Sequence, residues 1–237
     1  MINKGNKKIT VLLCTLNEEK NLPYVLPRLP KGIDEILIVD GGSTDNTVEV
    51  AKKLCPSARV VFQPGKGKGD ALRYGIRRAR GDIIVMFDAD GSMAPEEIPR
   101  FVKPLLEGYD FVKGSRFLPG GGTSDMTRHR IFGNWVFTTL TNIFHRTKYT
   151  DLCYGYNAFW KKAFKKVFFK GNGFEVETEI NIKINKAGLK VIEVPSFETE
   201  RINGEGKLHS LKDGYRILTT ILKEIGKVPA ESRPLSR

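Results

Sequence analysis

The sequence predicts an α/β protein in which a mostly parallel sheet is flanked by helices. Three observations predict it. Short, near-continuous apolar runs rich in branched residues recur through the first 115 positions, helix-favouring stretches separate them, and the strongest runs end in loops of acids and small residues. Unbroken apolar runs suit central parallel strands buried on both faces, and their alternation with helices suits a doubly wound sheet.

Taken in order, residues 9–13, 36–39, 59–62 and 83–87 read as strands, and 18–28, 47–54 and 70–80 as the helices between them. After Ser115 the texture changes. A Gly-rich loop at 119–122 leads to a polar segment with Arg128, His129 and Arg130, then to an apolar helix at 131–144. Residues 159–170 interleave aromatics with five lysines and contain no acid. Residues 175–187 read as a helix and 190–195 as a strand. Apolar residues at 208, 211, 215, 218, 222 and 225 recur at the 3–4 spacing of an amphipathic helix over 208–225. No repeat or linker divides the chain, so one domain is expected over 1–227. Its halves are 1–115 and 116–227, and 228–237 forms a frayed tail.

Composition narrows the class. A chain of 237 residues with 40% apolar side chains can bury a full core. The 39 basic against 27 acidic residues, net +12, favour phosphates, acidic headgroups or nucleic acid without choosing among them. No RRM, OB, KH or helix-turn-helix signature is present, so nucleic acid is not the expected partner. Cys14, Cys55 and Cys153 stand far apart with no metal spacing, which fits a reducing compartment. Residues 1–8 lack the apolar stretch of a signal peptide, and no apolar run reaches the ~18–20 residues that span a bilayer. A soluble or peripherally attached protein is expected.

Ligands of open α/β sheets bind outside the carboxyl ends of the strands. Three polar loops lie there: Thr15-Leu16-Asn17-Glu18, Asp40-Gly41-Gly42-Ser43 and Asp88-Ala89-Asp90-Gly91-Ser92. Asp88 and Asp90 place two hard carboxylates on a tight turn, suited to Mg²⁺ or Mn²⁺ bridging to a diphosphate; a plain Asp-Gly turn is the alternative. Asp40 closes its strand where a nucleoside could meet it, and Asp45 is a candidate N-cap. Gly65-Lys66-Gly67-Lys68-Gly69-Asp70 is a basic glycine loop before a helix, which favours diphosphate without being a Walker loop. His129, His145 and His209 are scattered and read as packing or surface residues.

Together Thr15-Leu16-Asn17-Glu18-Glu19, Val39-Asp40-Gly41-Gly42-Ser43-Thr44-Asp45, Gly67-Lys68-Gly69-Asp70-Ala71-Leu72 and Asp88-Ala89-Asp90 resemble the family 2 glycosyltransferases. The likeness is to the dolichol-phosphate mannose synthase-like, polyprenyl-phosphate branch. Gly114-Ser115-Arg116-Phe117, Asp151-Leu152-Cys153-Tyr154-Gly155-Tyr156, Phe174-Glu175-Val176-Glu177-Thr178-Glu179 and Val194-Pro195 extend it over about 9–222. The resemblance implies a GT-A, Rossmann-like fold whose first half binds a nucleotide sugar. The C-terminal helical portion then faces acceptor and membrane. It implies inverting transfer of a hexose from a GDP- or UDP-sugar to a polyprenyl or dolichyl phosphate. Leu16, Asn17, Glu19, Asp40, Gly42, Lys68, Asp70, Asp88, Ala89 and Asp90 are implied to bind the donor, with metal on Asp88 and Asp90. Arg116, Arg128, Arg130 and Arg201 are implied to meet the acceptor phosphate, Arg201 being a candidate for either phosphate, with Asp88, Asp90, Arg116 and Arg130 carrying catalysis. Two positions depart from the family pattern: Gly41 where a second Asp is common, and Ser92 where several relatives have Gln.

A hydroxyl acceptor would need a carboxylate base, with Glu175, Glu177 and Glu179 as candidates, whereas an ionised phosphate needs orientation and charge cancellation. The basic surplus after Ser115 favours the phosphate. Attachment to the cytoplasmic face of a membrane is expected through residues 159–170, or through Trp135 and Phe137, unless these pack inward; an oligomer or membrane partner protein is the other route. The competing functions are transfer to a saccharide or other hydroxyl and non-catalytic binding of nucleotide sugars or nucleic acid.

Overall fold

The computed structural model describes residues 2, 4–206 and 209–227, so Leu208 and the expected tail at 228–237 lie outside it. The elements run β1 (Ile9–Thr15), α1 (Leu22–Val25), β2 (Glu35–Asp40), α2 (Thr47–Leu54), β3 (Arg59–Phe62), α3 (Lys68–Arg78), β4 (Ile83–Asp88) and α4 (Ile98–Leu106). They continue with β5 (Phe111–Ser115), β6 (Gly122–Thr123), α5 (Arg128–His145), β7 (Asn157–Trp160), α6 (Glu175–Lys186), β8 (Val191–Pro195), β9 (Phe197–Glu198) and α7 (Ser210–Lys223). Seven strands form one sheet in the order β3-β2-β1-β4-β7-β5-β8, and β6 pairs β9 apart from it. Within the large sheet only β7 is reversed, lying antiparallel between β4 and β5. The expected mostly parallel sheet is therefore present, and the second half of the chain adds two strands to it.

The apolar strands are buried on both faces. Along β1, Ile9, Val11 and Leu13 join one core with Ile38, Val85, Ile98 and Phe101. Leu12 points the other way, into Leu37, Val39, Leu72, Ile76 and Ile180. Each such side chain contributes about 1.5–3 kcal/mol, which is why these strands show no polar alternation. A smaller cluster of Tyr149, Leu152, Ile182, Ile217 and Ile221 seats α7.

Four expectations change. The helix foreseen at 18–28 is only α1 and a 3₁₀ turn at Leu26–Arg28, because Pro23 and Pro27 each remove an amide donor. Helix α4 was not foreseen, since Pro99 and Pro104 mask a stripe of Ile98, Phe101, Val102 and Leu105, all buried. The aromatic and lysine segment at 159–170 is no membrane surface: Phe159, Phe164 and Phe169 are buried, and successive rings pack 4.0 and 6.1 Å apart. Of its aromatics only Phe168 is exposed, and the lysines ring the packed side.

Helix α7 gives the fourth change. Ile217 and Ile221 are buried, whereas the apolar stripe marked by the 3–4 spacing faces outward, with Leu211 92% and Tyr215 73% exposed. Leu12→Ala should therefore cost about 2–5 kcal/mol in urea unfolding, while Leu211→Ala stays within about 0.5 kcal/mol of the parent. Equal losses for the two would contradict this assignment of faces.

Candidate active site

At the carboxyl ends of β1, β2 and β4 the loops converge on a cavity of about 800 Å³. Its far wall is the 153–155 segment and the start of α6, and 198–206 borders it before α7. Leu16, Lys68, Asp88, Ala89, Asp90, Arg116, Arg130 and Arg201 all line it. Asn17, Glu19, Asp40, Gly42, Asp70 and Arg128 do not.

The residues left out have structural partners instead. Asp40 is 1% exposed and accepts from the amides of Gly42 and Ser43 at 2.9 and 2.8 Å and from the hydroxyls of Thr15 and Ser43 at 2.9 and 2.6 Å. Its carboxylate folds the second loop and leaves no oxygen open to a ligand. Asn17, in the left-handed region at φ 57°, accepts from the Thr44 amide at 2.8 Å, and Glu19 accepts from the Asn46 amide at 2.9 Å, tying the first two loops together. Asp45, expected as the N-cap of α2, lies one residue before the actual N-cap Asn46, and its carboxylate accepts from the Thr47 amide at 3.0 Å. Asp70 closes its own loop on the Gly65 amide at 2.8 Å. Arg128 is exposed on the first turn of α5.

The basic glycine loop is built for close packing. The segment 171–172 crosses directly over it, the Gly69 amide donates to the Asn172 carbonyl at 3.0 Å, and Gly67 stands at φ 89°. A Cβ on either glycine would collide with that backbone. One amide at the start of α3 is thus already satisfied, and Lys68 becomes the loop's reagent. Its ammonium lies 2.7 and 3.0 Å from the two carboxylate oxygens of Asp88 and 2.6 Å from Glu177. Burial works against that charge, but Asp88 and Glu177 outweigh it and raise the Lys68 pKa above its ordinary value. Gly155 covers this triad so closely that a Cβ there would strike Glu177, which explains a glycine between Tyr154 and Tyr156.

The second aspartate is held from the other side. Asp90 accepts from the Ser92 amide and hydroxyl at 3.0 and 2.7 Å and pairs with Arg201 at 3.3 Å. Arg201 also meets Glu18 at 2.5 Å, and Asn203 bonds both ways with Asn21, so the 201–203 strap is pinned across the first loop.

Deeper in the cavity, Arg116 makes a two-pronged contact with Asp151 at 2.7 and 2.9 Å and a third bond to Glu198 at 2.8 Å. Burial raises the Asp151 pKa, but Arg116 offsets it and holds the carboxyl below its ordinary value. Arg130 pairs with Asp125 at 2.7 Å on the open wall. Cys14 and Cys153 line the cavity too, and burial pushes both thiols up to about 12, which excludes a thiolate nucleophile near neutral pH. His145 is buried against the Ile221 carbonyl at 3.0 Å, as a packing histidine. Glu177 and Glu18 were undervalued by sequence. Sequence marks Glu177 only as a candidate base and Glu18 only as part of the first loop, because their partners lie 109 and 183 residues away.

Among the described residues no cluster of three or more His, Cys, Asp or Glu could cage a metal alone. Asp88 and Asp90 suit a hard cation that takes its remaining ligands from phosphate and water. Their side chains keep 32% and 21% of their surface open.

Comparison with known proteins agrees with this architecture. The chain is 32% identical over 212 residues to the glycosyltransferase AglJ of Haloferax volcanii, covering 87% of this chain and 68% of that one. It is 31% identical over 216 residues to an undecaprenyl-phosphate mannosyltransferase of Micrococcus luteus, covering 85% and 87%. Among solved structures, glucosyl-3-phosphoglycerate synthase of Mycobacterium tuberculosis superposes with a TM-score of 0.75 at 25% identity, covering 96% of this chain and 83% of that one. That crystal holds Mn²⁺, UDP and glucosyl-3-phosphoglycerate, and another of the same enzyme holds Mg²⁺ and UDP. The likeness establishes the GT-A fold. The profile of glycosyl transferase family 2 matches residues 10–168, across β1 to β4, the acidic turn and β7, and the chain belongs to that family.

Proposed function

We propose that this glycosyltransferase moves a hexose from a GDP- or UDP-sugar to the phosphate of a polyprenyl lipid, with inversion at the anomeric carbon. One observation carries the reading: a single cavity is lined by the acidic turn and by Lys68, Arg130 and Arg201. Donor diphosphate and acceptor phosphate would share one space. The lipid phosphate in the name of the Micrococcus luteus relative supports the acceptor, and UDP in the structural neighbour supports the donor.

In this reading Leu16 and Gly41 flank the nucleoside, while Asn17, Glu19, Asp40, Gly42 and Asp70 shape the loops that receive it. Asp88 and Asp90, with the Ala89 backbone between them, hold Mg²⁺ or Mn²⁺. Bound there, the cation offsets charge on the departing diphosphate. Lys68 and Arg201 flank that leaving group. Arg130 orients the acceptor phosphate, and Arg128 lies just outside the cavity to draw it in. Arg116, saturated by Asp151 and Glu198, is a positioning residue that keeps the acceptor wall in shape.

The acceptor oxygen forms its bond to the anomeric carbon on the face opposite the diphosphate. In the same step the old bond breaks, its electron pair staying on the leaving oxygen. No base is required, because a phosphate monoester is largely ionised near neutral pH, its second pKa being about 6. A hydroxyl acceptor is the second reading, favoured by the glucosyl-3-phosphoglycerate in the neighbour's crystal.

Access to lipid would come from α5 and α7. These helices both start at the cavity and run side by side, Phe137 over Gly214 and His145 against the Ile221 carbonyl. Their outer face exposes Phe132, Trp135 and Ile143 with Leu211, Tyr215 and Leu222. Arg128, Lys212 and Lys223 flank it. No described helix is long and apolar enough to cross a membrane, so we assign this face to the surface of an anionic bilayer at the cytoplasmic side.

Incubation with a panel of nucleotide sugars, Mn²⁺ and short polyprenyl phosphates should yield glycolipid; product formed only on saccharide or phosphoglycerate acceptors would overturn the lipid reading. Asp90→Ala should lose metal-dependent turnover by at least about 100-fold with its melting temperature kept, and near-normal rates would remove the metal role. Arg130→Ala should lower kcat/KM for the acceptor about 10- to 100-fold while donor hydrolysis persists. Trp135→Glu with Tyr215→Glu should cut sedimentation with vesicles containing phosphatidylglycerol about 10-fold without changing stability. Full retention of vesicle binding would rule out this face.

A further inference from the structure

All four carboxylate oxygens of the acidic turn are occupied from within the chain. Both oxygens of Asp88 face the Lys68 ammonium at 2.7 and 3.0 Å. One oxygen of Asp90 accepts from the amide and hydroxyl of Ser92, and the other faces Arg201 at 3.3 Å. The two cations reach the turn from opposite sides: Lys68 from the first turn of α3, Arg201 from the strap after β9. Each is shared with a second carboxylate, Lys68 with Glu177 and Arg201 with Glu18.

This arrangement sets a condition on metal entry. A divalent ion binds carboxylate oxygen at about 2.0–2.2 Å. At that distance it would sit beside an ammonium or guanidinium already paired with the same carboxylate. A doubly charged ion adjacent to a single positive charge inside a cavity is strongly repelled, since the local dielectric is far below that of water. Metal arriving alone must therefore displace Lys68 and Arg201 from the turn, leaving Lys68 with Glu177 and Arg201 with Glu18 and each short of a second partner. A diphosphate supplies one. Its oxygens can accept Lys68 and Arg201 and ligate the metal at once.

We propose that Lys68 and Arg201 are internal counter-cations of the acidic turn, handed over to the donor diphosphate as the metal takes their place. Metal and nucleotide then load as a pair, with each raising the affinity of the other by the same factor. The strap carrying Arg201 moves with this exchange, so loading also releases or redraws the 201–203 contacts with Glu18 and Asn21. The proposal rests on the reading of the cavity as a nucleotide-sugar site and adds how that site fills.

The test is direct binding of Mn²⁺, followed by electron paramagnetic resonance of the free ion, with and without UDP or GDP and corrected for chelation by nucleotide in solution. In the parent chain Mn²⁺ alone should bind at least about 10-fold more weakly than in the presence of nucleotide, a difference of about 1.4 kcal/mol. Arg201→Gln and Lys68→Met should each bind Mn²⁺ alone several-fold more tightly than the parent, and the gain on adding nucleotide should shrink. Removal of a residue with a merely structural role would weaken metal binding or leave it unchanged. Lys68→Met strands Glu177 in a buried site and may be paired with Glu177→Gln to keep the charge balance; Arg201→Gln, on the strap, carries the test by itself if the other variants do not fold. Unchanged or weaker binding of Mn²⁺ alone in the folded variants overturns the exchange while leaving the nucleotide site standing. A parent chain that binds neither UDP nor GDP would overturn the functional reading and this inference together.

Discussion

Two carboxylates one residue apart at the end of a buried strand repel each other and must be neutralised, and much of the cavity answers that requirement. Asp88 and Asp90 project from β4, the strand that joins the parallel half of the sheet to the reversed β7. Lys68 and Arg201 come from elements on either side of them in space. The second partners of these cations, Glu177 and Glu18, draw in α6 and the first loop. The ionic contacts therefore organise loops that have no apolar core of their own. The sheet supplies the rigidity, and the charges supply the arrangement at its edge.

The wall around Arg116 and Arg130 follows a different logic. Arg116, Asp151 and Glu198 form a buried cluster in which two acids and one guanidinium use most of their hydrogen-bonding capacity internally. Such a cluster is costly to desolvate and tolerates no missing member. It ties the end of β5 to the 151–155 segment and to the two-residue β9. Among the described residues Arg130 on the open wall pairs with one acid, Asp125, and so keeps further N–H donors. A saturated arginine behind and an available one in front would give a wall that is both stiff and reactive.

The outward faces of α5 and α7 connect this chemistry to the surroundings of the protein. Both helices open at the cavity, and both leave large apolar side chains in solvent. Their inward contacts are made by Asn134, Phe137, Thr138, Leu140, Thr141 and His145 on α5 and by Ile217 and Ile221 on α7. The wide apolar exterior of this pair is the physical ground for the proposal that lipid lies there.

What the amino-acid order determined by itself was the sheet and the chemistry at its edge. Runs such as 83–87 can be stable only with both faces covered, and an acidic turn after such a run can open only at the ligand-binding end of a parallel sheet. Asp88 and Asp90 were legible for that reason, Lys68 from its basic glycine loop, and Arg130 and Arg201 through the family resemblance; all five line the cavity. Distance along the chain hid the rest. Glu177 meets Lys68 across 109 residues, and nothing local distinguishes it from Glu175 or Glu179. Asp40 looked like a ligand because its position is right, yet neighbouring amides and hydroxyls had already claimed its oxygens. Residues 159–170 looked like a surface because a stretch of aromatics and lysines is compatible with either a core or a membrane until β7 pairs with β4 and β5. Helix α7 shows the same limit, since periodicity identifies an apolar stripe but only packing decides which stripe is covered.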